Sequence, residues 1–158
     1  MNWLELTTEE LAEARKKAGG LAVVPVRSVE PHGPHLPLGC DYLTACRLAE
    51  RAADLEPGVV LPGVAYAWVG QATALPGAVS LPFALLLQWL EALCDEIARN
   101  GFPKILFFKE HGGNHALLHA LATETAEKRK TYTVYVYGIS PSAQPEIVDT
   151  GEVRHIRL

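Results

Sequence analysis

The 158-residue chain has a net charge of −4, with 49% hydrophobic and 20% charged residues. This is a globular composition, not that of a disordered chain, and the length fits one domain over residues 1–158. Basic residues form no stripe, so nucleic acid is not an expected partner. The N-terminus lacks the apolar core of a signal peptide, and no apolar run is long enough to span a bilayer. We therefore expect a cytoplasmic protein with no membrane association.

The three cysteines indicate no disulfide framework, because their number is odd and they form no CxxC pair. We interpret each of the three, Cys40, Cys46 and Cys94, as a small buried hydrophobic residue. Cys40 differs from the other two because it stands next to Asp41.

Helical and strand patterns alternate along the chain. Thr7 or Thr8 caps a first helix, which ends at Gly19-Gly20. The elements predicted after it, in order, are a strand at 21–26, a helix at 42–55 capped by Asp41, a strand at 58–63, a helix from about Pro82 to Arg99, a strand at 104–109, a helix at 115–129 capped by Asn114, and a strand at 132–138. This order predicts an α/β fold, a three-layer α/β/α sandwich with a mostly parallel sheet.

Two polar loops follow predicted strands. The first, EPHGPH, comes after the strand at 21–26, and the second, EHGGN, comes after the strand at 104–109. In an open parallel sheet, ligands gather at the carboxyl ends of the strands. We therefore expect the two loops to meet at one edge of the sheet, although about 80 residues separate them in sequence.

The side chains of these loops are typical of a metal site. Glu30 and His32 point to the same side of an extended segment, Asp41 has two carboxylate oxygens, and His111 supplies an imidazole from the second loop. Mixed carboxylate and imidazole ligands suit Zn, Mn or Fe. Two such cations sharing a carboxylate need about five protein ligands if each keeps an open position, and these residues supply four.

Each residue taken alone also has an ordinary structural explanation. His32 or His35 could be a hydrogen-bonded loop histidine, Asp41 a helix cap, and HGGN a strand-to-helix turn. Their occurrence together in two loops at one sheet edge favours a metal site, or a relic of one.

Three segments resemble the creatininase (creatinine amidohydrolase) family. They are VPVRSVEPHGPHLPLGCD at 24–41, LPGAVSL at 75–81 and GFPKILFFKEHGGN at 101–114. The corresponding family patterns are close to PxGSxEQHGPHLPLGTD, FPGTxSL and GFxxIxxxNGHGGN. The resemblance covers about residues 1 to 138, and the first of its motifs is long and specific.

The resemblance implies an α/β/α fold with a dinuclear metal centre, commonly Zn or Mn, that hydrolyses C–N bonds of amides, cyclic amides or formamides. It implies that Glu30, His32, Asp41 and His111 are metal ligands, with Asp41 bridging the two cations. Fe is a further candidate, and one or two metals per protomer are expected. The implied partners are a small-molecule substrate and copies of the same chain, since family members are commonly oligomers and often hexamers.

The chain also departs from the family patterns. Lys109 and Glu110 replace an Asn and a Gly, Cys40 replaces a Thr, and a histidine is missing before LPGA. The chain ends at Leu158, so we expect a C-terminally shortened member. Gly151-Glu152 matches a remnant of the family's final ligand segment, which makes Glu152 the expected fifth ligand. Glu110, or no protein residue, is the alternative.

Three hypotheses follow. In the first, the chain is an amidohydrolase in which a metal-bound hydroxide attacks the carbonyl, and Asp149, His155 or His35 gives the proton to the leaving nitrogen. The alternative role for His35 is to orient a metal ligand. In the second, it is a catalytically weak or inactive metal-binding subunit with an assembly or regulatory role. The third is a binding module without metal, which requires all the ligand-type residues to be coincidental.

Overall fold

The fold alternates helices with parallel strands. The computed structural model describes residues 1–109 and 112–138 and the backbone of two short strands beyond them. The helices are α1 (Thr8–Lys17), α2 (Cys40–Leu55), α3 (Phe83–Arg99) and α4 (His115–Glu127), with 3-10 turns at Trp3–Glu5, Gly70–Ala72 and Gly112–Asn114. The strands are β1 (Leu21–Val26), β2 (Val59–Val60), β3 (Lys104–Lys109), β4 (Thr133–Gly138), β5 (Ile147–Val148) and β6 (Val153–Arg154).

The central sheet has the strand order β2-β1-β3-β4, and every pairing in it is parallel. The predicted parallel sheet is therefore confirmed. The ends of β1 and β3 are level, because Val26 pairs with Lys109. The loops that follow these two strands therefore start at the same height on the same edge. β5 and β6 form a separate antiparallel pair.

Helices cover both faces of the sheet. Alternate residues of β1, Ala22 and Val24, lie in a large core cluster with residues of α1, α3 and α4. Val23, on the opposite face, packs in a smaller cluster that includes Ala49 of α2. The two clusters confirm the predicted three-layer sandwich. Within the described part of the chain, no helix is long and apolar enough to cross a membrane.

The first helix has the ends that its sequence predicts. The Thr7 side chain accepts from the Glu10 backbone N–H, and the Glu10 side chain accepts from the Thr7 N–H, which forms a complete capping box. Gly19 and Gly20 have φ values of +55° and +75°, which favour glycine and end the helix.

The helix expected at 115–129 ends two residues earlier, at Glu127, and two other elements also differ from their predicted bounds. The helix expected at 42–55 begins at Cys40 with Gly39 as its cap, so Asp41 lies in the first turn and is not the N-cap. The strand expected at 58–63 is reduced to Val59–Val60. Leu61 still donates to the Val23 carbonyl at 2.9 Å, but Pro62 has no N–H with which to continue the ladder.

Candidate metal site

The loop that leaves β1 is fixed by backbone hydrogen bonds to two other segments. The Arg27 N–H donates to the Val64 carbonyl at 3.0 Å, and the Val79 N–H donates to the Val29 carbonyl at 3.1 Å. Within the loop, the Glu30 N–H donates to the Leu38 carbonyl at 3.1 Å. These bonds hold the loop against residues 64–79 and let its polar side chains keep one arrangement.

Gly77, in the LPGA segment, lets that segment approach the loop closely. Its φ is +94°, and a Cβ built on it would lie 2.7 Å from two carbon atoms of Leu38. Only glycine combines this backbone conformation with this contact. The second motif of the chain therefore supports the first through the Leu38 side chain.

A run of buried polar residues follows β1. Arg27, Ser28 and Glu30 are 7%, 0% and 4% exposed. The Ser28 hydroxyl donates to Oε1 of Glu30 at 3.0 Å, and this bond orients the carboxylate. Polar groups buried in this way need partners, so the run is an organised site and not a solvated loop.

His32 is held between the loop backbone and α2. Its Nδ1 lies 3.2 Å from the Glu30 carbonyl oxygen, and its Nε2 lies 3.6 Å from Oδ1 of Asp41. When Nδ1 donates to the carbonyl, Nε2 keeps a lone pair on the side of Asp41. Such a backbone contact is the usual way to orient a metal-binding imidazole.

Three ligand-type side chains meet at this point. The ligand atoms of His32, Cys40 and Asp41 all lie within 4.8 Å of one another. The Cys40 thiol donates to Oδ1 of Asp41 at 3.6 Å, and burial, followed by the Asp41 charge, raises the pKa of Cys40. Nitrogen, sulfur and oxygen donors together suit a transition-metal cation such as Zn²⁺. These donors therefore fit one divalent cation.

The second oxygen of Asp41 contacts a cation of the protein itself. Nη1 of Arg27 lies 2.7 Å from Oδ2 of Asp41, and the two side chains are only 8% and 15% exposed. Sequence analysis missed this pair, although it had a signal. Arg27 stands where the pattern PxGSxEQHGPHLPLGTD has its glycine.

The other predicted site residues fall into two groups. Glu30 is buried next to Ser28 but is not a member of the three-residue cluster, and His35 is exposed in the same loop. The remaining predicted ligands and proton donors lie outside the described residues: Glu110, His111, Asp149, Glu152 and His155.

Asn114, the last residue of the HGGN turn, lies at the edge of the sheet at which the loop after β1 also begins. Asn114 stands at the N-cap position of α4, as predicted, but its side chain does not cap the helix. Its Oδ1 accepts from the Trp68 N–H at 3.1 Å, and the residue is 0% exposed. Asn114 thus ties the second loop to residues 64–69, the segment that also holds the first loop.

A family model described as "Creatininase: Creatinine amidohydrolase" matches residues 4–154. The chain belongs to the creatininase family. This confirms the resemblance seen in the three motifs, and with it the α/β fold. The family is one of metal-dependent amidohydrolases.

Two curated relatives are similar to this chain over more than two thirds of its length. The chain is 37% identical over 119 residues to the mycofactocin precursor peptide peptidase of Mycolicibacterium smegmatis, covering 69% of this chain and 47% of the relative. It is 31% identical over 116 residues to the creatinine amidohydrolase of Pseudomonas putida, covering 70% of this chain and 44% of the relative. The chain therefore spans about half the length of the curated relatives it matches.

Solved structures of creatininases share the fold. A crystal structure of creatinine amidohydrolase superimposes with a TM-score of 0.76 at 27% identity, covering 87% of this chain and 57% of that one. A mutant creatininase of the Zn-Zn type gives a TM-score of 0.74 at 26% identity, with coverage of 87% and 57%. These relatives are consistent with the α/β layers described above.

Proposed function

We propose that this creatininase-family chain is a divalent-metal-dependent hydrolase that cleaves a C–N bond of a small amide, cyclic amide or formamide. One observation carries the proposal: His32, Cys40 and Asp41 bring three ligand-type atoms together at the carboxyl edge of β1 in this fold. A cation held there lowers the pKa of a water ligand and polarises a carbonyl group. The relatives' own substrates, creatinine and a precursor peptide, define the first compounds to test.

The proposed ligands are Glu30, His32, Asp41 and His111, with Glu152 as the fifth, and Zn or Mn, then Fe, as the cation. The described geometry adds Cys40 to this set, since its sulfur lies in the same cluster as His32 and Asp41. Ser28 and the Glu30 carbonyl position the carboxylate and the imidazole. For the proton given to the leaving nitrogen, His35, Asp149 and His155 remain the candidates.

The test compares metal-loaded protein with protein stripped by a chelator. Creatinine, small amides, formamides and a short peptide are supplied at millimolar concentration. Amine, ammonia or formate release is measured for the linear compounds, and formation of the ring-opened acid is measured for creatinine. We expect turnover that depends on Zn²⁺ or Mn²⁺ and is lost in Asp41→Ala. If loaded wild-type protein binds metal but turns over no compound of these classes, the second candidate function below is favoured.

That second candidate is a metal-binding subunit with little or no catalysis and an assembly or regulatory role. The contact between Arg27 and Oδ2 of Asp41 favours it, because it occupies the oxygen that a second cation would use.

We further propose that the protein forms a homo-oligomer, with a hexamer as the size implied by the family. Tyr66, Leu85 and Trp89 are 58%, 51% and 48% exposed and line one apolar cavity of about 310 Å³. Exposed apolar patches of this kind mark protein contacts. Light scattering after size-exclusion chromatography measures the mass, and a monomer at micromolar concentration contradicts this part of the proposal.

A cytoplasmic location is also part of the proposal. Cys40, Cys46 and Cys94 are all free thiols, as expected in a reducing compartment. Cell fractionation followed by immunoblotting tests the location directly.

A further inference from the structure

The two oxygens of the Asp41 carboxylate have different neighbours. Oδ1 lies 3.6 Å from Nε2 of His32 and 3.6 Å from the Cys40 sulfur. Oδ2 lies 2.7 Å from Nη1 of Arg27. One oxygen therefore faces atoms that can bind a metal, and the other faces a positive charge carried by the chain.

We infer that the Arg27 guanidinium takes the place of a second metal ion at Asp41, so that the site binds one divalent cation and not two. The inference rests on the proposed function, in that the site must bind metal at all. It concerns how many cations are bound and which residue sets that number.

The position of Arg27 makes it difficult for a second metal ion to replace the guanidinium at Asp41. Its side chain is 8% exposed, and its backbone is fixed by the bond from its N–H to the Val64 carbonyl. A guanidinium matches a carboxylate through directed N–H bonds, and such charge-assisted bonds are stronger than neutral ones. A divalent cation at Oδ2 would either lie against the buried guanidinium, where like charges repel, or displace the guanidinium from Asp41, and both are unfavourable.

The Asp41 carboxylate would also keep the electrostatic environment of a carboxylate shared by two cations. With a metal ion on Oδ1 and Arg27 on Oδ2, Asp41 still lies between two positive charges. The second charge is monovalent, however, and has no open coordination position for a water or a substrate. Arg27 can hold Asp41 in place and can attract a negatively charged oxygen, but it cannot activate a second water.

The experiment counts metal ions in four full-length proteins. Wild type, Arg27→Gly, Arg27→Met and the control Arg47→Met are loaded with excess Zn²⁺, freed of unbound metal and analysed by elemental analysis and isothermal titration calorimetry. Arg47 is exposed on α2 and provides the same loss of charge away from the site. Circular dichroism verifies that each variant folds.

We expect one zinc per chain in wild type and in Arg47→Met, and two in Arg27→Gly and in Arg27→Met, because both substitutions at position 27 remove the guanidinium. Two zinc ions in wild type would overturn the inference. One zinc in wild type with no increase in a folded Arg27→Gly or Arg27→Met would also overturn it, since Arg27 would then not set the number. No zinc in any protein would instead defeat the proposed function.

A spectroscopic measurement on wild type alone covers the case in which both Arg27 variants fail to fold. In Mn²⁺-loaded protein, electron paramagnetic resonance distinguishes an isolated ion, with a six-line spectrum, from an exchange-coupled pair. We expect the isolated spectrum at every Mn²⁺ loading. A coupled spectrum would contradict the inference without any variant.

Discussion

Nε2 of His32 lies 3.6 Å from Oδ1 of Asp41, whereas Nη1 of Arg27 lies 2.7 Å from the other oxygen, Oδ2. His32 is therefore the described histidine whose loss should weaken metal binding most. We expect His32→Ala to lower zinc affinity by more than about 100-fold, beyond the usual loss for a residue that only orients a ligand. Competition with a chromophoric chelator measures the affinity.

His35→Ala is the matched control for this prediction, because His35 is an exposed histidine of the same loop and lies outside the cluster. It should leave zinc affinity unchanged. Equal losses in the two variants would mean that the cluster at His32 is not the binding point.

Alkylation rates should separate the three cysteines. Cys94 is 0% exposed, and burial, with the charges of Asp95 and Glu91, raises its pKa to about 12. Because the thiolate is the reactive form, we expect Cys94 to resist iodoacetamide in the native protein and to react after unfolding. Burial also raises the pKa of Cys40 and Cys46, but both are only half-buried, so they should react in the native state, and faster than Cys94. Mass spectrometry of peptide digests assigns each modification.

Zinc should then protect Cys40 alone. The Cys40 sulfur lies in the cluster with His32 and Asp41, whereas Cys46 is about 1.7 helical turns further along α2. We expect added Zn²⁺ to slow modification of Cys40 and leave that of Cys46 unaffected. Equal protection of both thiols would indicate general stabilisation of the protein instead of coordination by Cys40.

The hydroxyl of Ser28 should contribute both to stability and to metal binding. It donates to the carboxylate of Glu30, which is 4% exposed. Removing a hydrogen bond to a buried charged group costs about 1.5–3 kcal/mol in the free energy of unfolding, and removing an orienting partner costs about 10–100-fold in metal affinity. We expect both losses in Ser28→Ala, measured by urea unfolding and zinc titration. Ser28→Thr keeps the hydroxyl and should lose much less of each.

An ion pair between α3 and the end of α4 should make stability depend on pH. Nζ of Lys128 lies 2.7 Å from Oε2 of Glu91, and this contact, followed by that of Lys130, lowers the pKa of Glu91. A carboxyl group with a lowered folded-state pKa adds stability above its unfolded pKa of about 4.3, and this is lost as the pH falls through the folded value.

The expected result is that Glu91→Gln is less stable than wild type at pH 7 and that the difference shrinks as the pH falls through the lowered folded-state pKa of Glu91. Urea unfolding at a series of pH values measures it. Glu127→Gln, which removes an exposed carboxyl group of α4, is the control and should show a smaller difference at pH 7. A gap between wild type and Glu91→Gln that stays constant with pH would contradict the assignment.

Most of the fold could be predicted because its signals are local. The apolar run LAVVPV gives β1 with its observed bounds, and the Thr7 cap and Gly19-Gly20 fix the ends of α1 within a few residues of chain. The order of the predicted elements was also enough to predict that the two polar loops begin at the same edge of the sheet. Each of these depends on residues that are close in sequence or on a general property of parallel sheets.

The details of the site could not be predicted in this way. The role of Asp41 depends on Arg27, fourteen positions away, whose side chain reaches it only in the folded loop. The sequence predicted Asp41 as a helix cap because it stands before a helical pattern. In the structure, Asp41 instead pairs with the buried Arg27. β2 was predicted too long for a similar reason, since pairing is limited by Pro62 and not by the apolar run.

The level ends of β1 and β3 have a consequence for the order in which the chain acquires its structure. β1 ends at Val26, but its neighbour β3 is made of residues 104–109, so the first loop is synthesised long before the strand beside it exists. Contacts between segments so far apart in sequence form late, because closing a long loop is entropically costly. We therefore expect a nascent chain to expose His32, Cys40 and Asp41 without their final geometry until β3 has emerged from the ribosome and docked.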